Sequence, residues 1–405
     1  MLNHKIICQK LQETYNANVL KQTTKETRDL FVATAKTAKE INLNKGNQTL
    51  LSLIDNYSKQ KTPVPKYIAG PISMSVHWNS QYQLYIYVIG EFHDTTTDCR
   101  LYREKGQTPS NTMLIEDFLE QLILTTPAFL DIYIEWIESI GITLNQGHRI
   151  REMYRKLGEC LEYSTRDNTK CELARLHYVD IRQNVIPNFY EKVNDLSYAE
   201  FTLISFKINY DFINNNKRLK TILNILNTDS LTKYEDFFRQ QIRQNEMVVK
   251  ELSKSFLGKH IESYFTDLLV DMALNARKLI QGHVSVLLNP KSSDKEIQKN
   301  VKDLTMRFVL INTSVMDTYT LSRIFKKFDV TKPKAKYQST TNHQPESPHN
   351  IIIYAGQLHC YKYRQFLEYI KSEEIGFAGS RDVLAQDSLI NNCVDISSFP
   401  MPFFT

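Results

Sequence analysis

The stretch Tyr85-Ile86-Tyr87-Val88-Ile89-Gly90-Glu91-Phe92-His93-Asp94 constrains the fold of this chain more than any other. Its aromatic and β-branched residues run without period-two alternation, the pattern of a strand buried on both faces, as in parallel sheets covered by helices. The run ends in a glycine followed by polar side chains that can do chemistry. In parallel α/β sheets and barrels, ligands bind at the carboxyl ends of the strands, so Glu91 and His93 are placed at a candidate site. Alternation along the strand puts these two residues on one face.

Other segments repeat the theme. Met113 to Leu124 has apolar residues at helical spacing, and Thr125-Thr126-Pro127 stops it. Ala128 to Glu135 reads as a second strand with an acid at its end, and strand–helix–strand order predicts a right-handed crossover that makes the two strands parallel. Cys171 to Arg182 reads as a third strand carrying His177, Asp180 and Arg182. Charged groups beside a core must be paired or bind something, so Glu135, Asp180 and Arg182 join the candidate catalytic set. His177, three residues before Asp180, is predicted to face the other side of its strand. A last strand, Asn350 to Gly356, runs into Gln357-Leu358-His359. Gly, two residues and His then occur twice, at opposite ends of the chain, which predicts two parallel strands, adjacent or nearly so. His359 and the first motif should share one edge, with Glu91, His93 and His359 within about 3–5 Å of one another if they hold one ion.

Between these parts, residues from about Ser197 to Asp329 are mainly helical by pattern. Asp294 reads as an N-cap without a capping box, and Asp317 as a residue that begins or interrupts an apolar helix. Upstream, Ile72 to Trp78 and Gln81 to Leu84 are predicted to form a hairpin. The reading is an α/β fold with a mainly parallel sheet or incomplete barrel. Its parts are an N-terminal helical extension (1–80), a first part of the core (81–196), a mainly helical insertion (197–345), and a last strand, helix and tail (346–405). Residues 81–405 form one discontinuous domain.

Composition excludes several classes. The net charge of +5 is small for 405 residues and no basic stripe interleaved with aromatics occurs, so nucleic acid is not an expected partner. Lys326, Lys327, Lys332, Lys334 and Lys336 read as a solvated loop. No apolar run is long enough to span a bilayer, so no membrane is expected. The six cysteines lack a Cys-x-x-Cys pair. They are read as reduced thiols of a cytoplasmic protein, or of a virion assembled in a cytoplasm, with Cys99 a small buried residue. Cys360 adjoins His359, but neighbouring strand residues point apart, which argues against a Cys–His nucleophile. Gly-x-Ser-x-Gly, Walker and His-Glu-x-x-His motifs are absent from the sequence.

Gly90-Glu91-Phe92-His93 paired with Gly356-Gln357-Leu358-His359 resembles the superfamily of erythromycin esterases, ChaN-like haem-binding lipoproteins and TIKI-type metalloproteases. The stretches from His177 to Arg182, Met316 to Arg323 and Ile353 to Gly356 also resemble uncharacterised proteins of large cytoplasmic DNA viruses. The resemblance implies an α/β sheet with a polar pocket at its strand ends. It also implies a hydrolase, esterase-like or metal-dependent, acting on a small-molecule or peptide substrate. Glu91, His93 and His359 are then the acid–base groups or the ligands of a divalent Mn, Zn, Fe or Co ion. Gln357 stands where a second acid would sit. That departure motivates an alternative, a non-catalytic virion-associated or host-interaction protein on a decayed enzyme fold.

Overall fold

The computed structural model describes residues 65–92, 99, 102, 109–126, 128–135, 156–157, 173–181, 208–329, 345–381 and 392–399. Within them the chain runs β1 (Tyr67–Ala69), β2 (Ser73–Asn79), β3 (Leu84–Glu91), β4 (Thr112–Leu114), α1 (Ile115–Thr125), β5 (Leu130–Ile134) and β6 (Ala174–Tyr178). It continues through α2 (Tyr210–Asn215), α3 (Lys217–Leu226), α4 (Leu231–Arg243), α5 (Glu246–Leu252), α6 (Gly258–Leu288) and α7 (Asp294–Ile324). It ends with β7 (Asn350–Gly356), α8 (Gln357–Tyr369), β8 (Glu373–Gly379) and β9 (Cys393–Asp395). Residues 1–64 of the expected helical extension, together with His93 and Arg182, lie outside the described residues.

Six strands form one sheet in the order β6-β5-β7-β3-β2-β8. Strands β6, β5, β7 and β3 are parallel, and β2 and β8 add an antiparallel flank. The fold is α/β, and the described strands form no closed barrel. The two strands that carry the Gly-x-x-His motifs are direct neighbours, with Gly90 beside Ala355 and Glu91 beside Gly356, so the motifs are offset by one residue. The hairpin exists but differs from the one expected: β2 pairs directly with β3, and residues 80–83 make the connection. Strands β1 and β2 lie before residue 81, so the sheets draw on chain that the sequence reading gave to the helical extension.

Period-two geometry sorts the strand residues into two apolar layers. Leu84, Ile86, Val88, Tyr133, Ile351 and Ile353 pack under the long helices α6 and α7 and under α8. Tyr87, Ile89, Ile132, Ile134, Ile352 and Tyr354 pack on the other face against Phe118, Leu119 and Ile123 of α1. Val394, Ile396 and Phe399 of the tail join that second layer. Both faces are therefore covered, which is why the strands are apolar at nearly every position. The helical segment shares one continuous core with the sheet and lies across its face.

Three local readings are corrected. The N-cap of α7 is Ser293, whose side chain accepts from the Glu296 backbone while Glu296 reaches back to the Ser293 backbone, a complete capping box one residue earlier than expected. Lys326 is buried and ion-paired with Glu251, and its ammonium lies 4.8 Å over the Phe328 ring, so it is no part of a solvated loop. Cys99 is buried, as expected, but it is joined to Cys393 in a disulfide across 294 residues of sequence, so the reduced-thiol reading fails for this pair. The bond ties chain near the first Gly-x-x-His motif to β9. No helix among the described residues is long and apolar enough to cross a membrane.

Candidate functional site

Glu135 directly follows β5, and His359 is the third residue of α8, the helix that β7 feeds. The parallel sheet thus brings both to the carboxyl edge. His359 Nε2 lies 3.6 Å from Glu135 Oε1. Its other ring nitrogen, Nδ1, is 2.5 Å from Asp317 Oδ1, so the carboxylate accepts a hydrogen bond from Nδ1–H and fixes the imidazole's tautomer and orientation. The second Glu135 oxygen, Oε2, accepts from the backbone N–H of Gly356 at 2.6 Å, at the turn from strand to helix.

Asp317 neither begins nor breaks a helix. It sits within α7, fully buried, on a polar stripe with Thr313, Ser314 and Thr320 that faces α8. Its other oxygen, Oδ2, is 3.2 Å from Lys362 Nζ, and the same ammonium donates to Thr313 Oγ1 at 2.5 Å and Ser314 Oγ at 3.2 Å. Burial pulls the Lys362 pKa down, opposed by Asp317. Two carboxylates therefore flank one imidazole, and one buried ammonium offsets part of their charge. Lys362 was absent from the sequence-based candidates. The signal that could have found the pair is the helical polar stripe of α7 set against a lysine one turn after His359.

Glu91 and Asp180 also lie at the carboxyl ends of the parallel strands, with contacts of their own. Glu91 is buried at the last position of β3 and accepts a hydrogen bond from Tyr354 Oη. Alternation aligns Glu91 with Tyr87 and Ile89 towards the α1 layer, whereas Glu135 follows Tyr133 towards the helical layer. Asp180 is buried two residues past β6. Cys360 lies in α8 and not in a strand. Its thiol, which donates towards Ile89 O and Ala355 O, is pushed by burial up to about 12, so it is no ready nucleophile.

His177 belongs to a separate buried cluster lower on the sheet. Its Nε2 donates to Asp131 Oδ1 at 2.7 Å and its Nδ1 accepts from Arg323 Nη2 at 3.2 Å, an arrangement that requires a neutral ring. Burial, opposed by Asp131, holds its pKa down at about 3. The ring is stacked between Tyr133 and Phe328. Asp131 also takes a two-pronged contact from Arg175, at 2.6 and 3.1 Å. Both ring nitrogens of His177 and both oxygens of Asp131 are matched within the protein, and the cluster reads as an interior structural network.

The glycine of the first motif has a steric reason. A Cβ on Gly90 would stand 2.2 Å from Gln357 Oε1 and 2.7 Å from Ser73 Oγ. Gln357 lies across β3 at that point, accepting from Ser73 Oγ at 2.6 Å and donating to Ser380 O at 3.0 Å. In this chain the Gln357 side chain bonds to Ser73 of β2 and to the backbone just past β8.

No family model matches the chain, and comparisons with characterised proteins and with solved structures find no match. The site is thus read from its own geometry.

Proposed function

We propose that the chain is a hydrolase whose acid–base group is His359, oriented by Asp317 and working with Glu135 on a water molecule. The supporting observation is the row Asp317–His359–Glu135, with a carboxylate at 2.5 Å from one ring nitrogen and another at 3.6 Å from the other. Asp317 accepts the Nδ1–H hydrogen bond and so keeps that proton on the ring, leaving Nε2 to take a proton from water as the oxygen attacks an ester or amide carbonyl. Glu135 then balances the imidazolium, and the proton returns from Nε2 to the leaving group. The class of substrate rests on the resemblance of the two Gly-x-x-His motifs to esterases.

A divalent ion fits this site only in part. His359 Nε2 and Glu135 Oε1 are close enough to share an ion bound at about 2 Å from each. Such an ion would acidify a bound water. However, no group of three His, Cys, Asp or Glu residues suited to an ion occurs among the described residues, and no step is assigned to one.

The test is turnover of 4-nitrophenyl acetate and butyrate by the whole chain and by His359→Gln. The reading expects a loss of about 10²–10⁴ in kcat/KM in the variant, the usual worth of a positioned acid–base group. Absence of turnover in the parent, or equal turnover in both, refutes it.

A second reading, a non-catalytic virion-associated or host-interaction protein, is favoured by burial. Asp317, Glu135 and His359 are 0%, 2% and 5% exposed. It expects no turnover, together with loss of folded protein when His359 is replaced.

A further inference from the structure

The strand β2 alternates polar and apolar residues, Ser73-Met74-Ser75-Val76-His77-Trp78-Asn79, which ordinarily marks one wet face. Here the polar face is buried under α8. Arg364 reaches down to it, donating from Nε to Ser75 Oγ at 2.9 Å and from Nη2 to Ser73 Oγ at 2.7 Å and Val88 O at 3.2 Å. All of these acceptors are neutral. Among the described residues no carboxylate lies within ion-pair distance of Arg364, although the residue is 9% exposed. Glu374 acts on Arg364 only through space and is itself paired with Arg381, so the buried cation has no counter-ion in contact, an unfavourable arrangement that a bound anion would relieve.

Arg364 opens onto a cavity of about 530 Å³ between α8, β2 and β8, lined also by His77, Tyr361, Glu368, Glu374 and Arg381. The size lies within the range of about 300–1,000 Å³ typical of small-molecule sites. The remaining guanidinium nitrogen, Nη1, makes no hydrogen bond within the described residues. Arg381 is engaged in a two-pronged pair with Glu374. The guanidiniums of Arg364 and Arg381 lie 5.5 and 3.9 Å over the Phe377 ring, which fixes them on this wall.

We propose that this cavity binds a small monocarboxylate, with its carboxylate on Arg364 Nη1 and its apolar part against Tyr361. Two features select a single negative charge. Only one guanidinium end is open, and the carboxylates of Glu368 and Glu374 on the same wall repel a dianion. His77 adds no cation, because burial, partly opposed by Glu374, holds its pKa at about 4. The site is separate from His359 and does not depend on the hydrolase reading.

The test is calorimetric titration of the whole chain with sodium benzoate, and with inorganic phosphate at matched ionic strength. Arg364→Gln and Gln365→Trp are measured beside it. Gln365 lines the cavity from the half-exposed side of α8, and a tryptophan there fills space without touching the Arg364 bonds to β2. The proposal expects one saturable benzoate site, weakened at least about tenfold in each variant, as loss of a charge-assisted hydrogen bond or of the space implies. If Arg364→Gln does not fold, Gln365→Trp alone decides. No saturable benzoate binding, or binding unchanged in Gln365→Trp, overturns the site. Tighter binding of phosphate than of benzoate overturns the choice of ligand.

Discussion

Replacing Asp317 with Asn tests whether the α7–α8 contact is a true buried ion pair. The Lys362 ammonium is 3% exposed and its partners are two hydroxyls and Asp317, so the carboxylate is its counter-charge. At 3.2 Å the pair's attraction is about 5 kcal/mol for an effective dielectric near 20, before desolvation is set against it. Removing one partner of such a pair strands the other, and the usual loss is about 3–5 kcal/mol. That is a large share of the ~5–15 kcal/mol that separates most folded proteins from unfolding. We expect Asp317→Asn and Lys362→Met each to lose stability on that scale. The double variant leaves no stranded charge and should lose less than the sum by about 2–3 kcal/mol. Urea unfolding followed by both fluorescence and circular dichroism measures all three, with the slope checked for constancy. Asp317→Asn within about 1 kcal/mol of the parent, or strictly additive losses, would refute the pairing.

Acid should destabilise the protein through His177. Its folded pKa of about 3 lies below the unfolded value near 6.5, so the unfolded chain binds the extra proton and stability falls as pH drops from about 6.5 towards 3; His177→Gln should flatten that part of a urea-midpoint profile. Lys326 acts at the other end: burial lowers its pKa to about 8, and between there and about 10.4 the unfolded chain again holds more protons, so its contribution rises with pH. Lys326→Met should remove that rise. Gly90→Ala forces Gln357 off Ser73 and should cost about 1–3 kcal/mol by overpacking alone, read as a lowered melting temperature. Cys393→Ser opens a loop of 294 residues, for which the chain-entropy relation gives a loss of up to about 5–6 kcal/mol; unchanged melting of Cys393→Ser would show that the bond constrains nothing.

The sheet was legible because strands buried on both faces leave an unmistakable apolar run. Tyr85 to Ile89 and Ile351 to Tyr354 became adjacent parallel strands for that reason. Helix starts were legible in kind but shifted in position, since Ser293 and Asp294 are both good caps and only the Glu296 backbone contact chooses between them. What was not legible is contact across the chain. The Asp317–His359 bond spans 42 residues and the Ser73–Gln357 bond 284. No local pattern encodes either. The alternation in β2 does not say what covers its polar face, because a polar strand face buried under a helix has the same period as one facing water. Lys326 was misplaced for a similar reason: a lysine in a lysine-rich stretch looks solvated until Glu251, 75 residues upstream, is found beside it.

The polar residues of α8 carry the strongest argument that this region is built for more than stability. Gln357, His359, Lys362 and Arg364 are all buried in one helix of 13 residues. Two of them face α7 and two face β2, so the helix carries a polar side in both directions where apolar side chains would pack. Buried ion pairs are commonly no better for stability than well-packed hydrophobic residues, and a buried cation with neutral partners is worse. The apolar remainder of α8, Cys360, Tyr363, Phe366 and Leu367, already anchors it in the main core. The polar set therefore adds contacts beyond those that anchor the helix. It is arranged at the carboxyl edge of the parallel strands on one side and along a cavity on the other, the two kinds of place where an α/β protein meets a ligand.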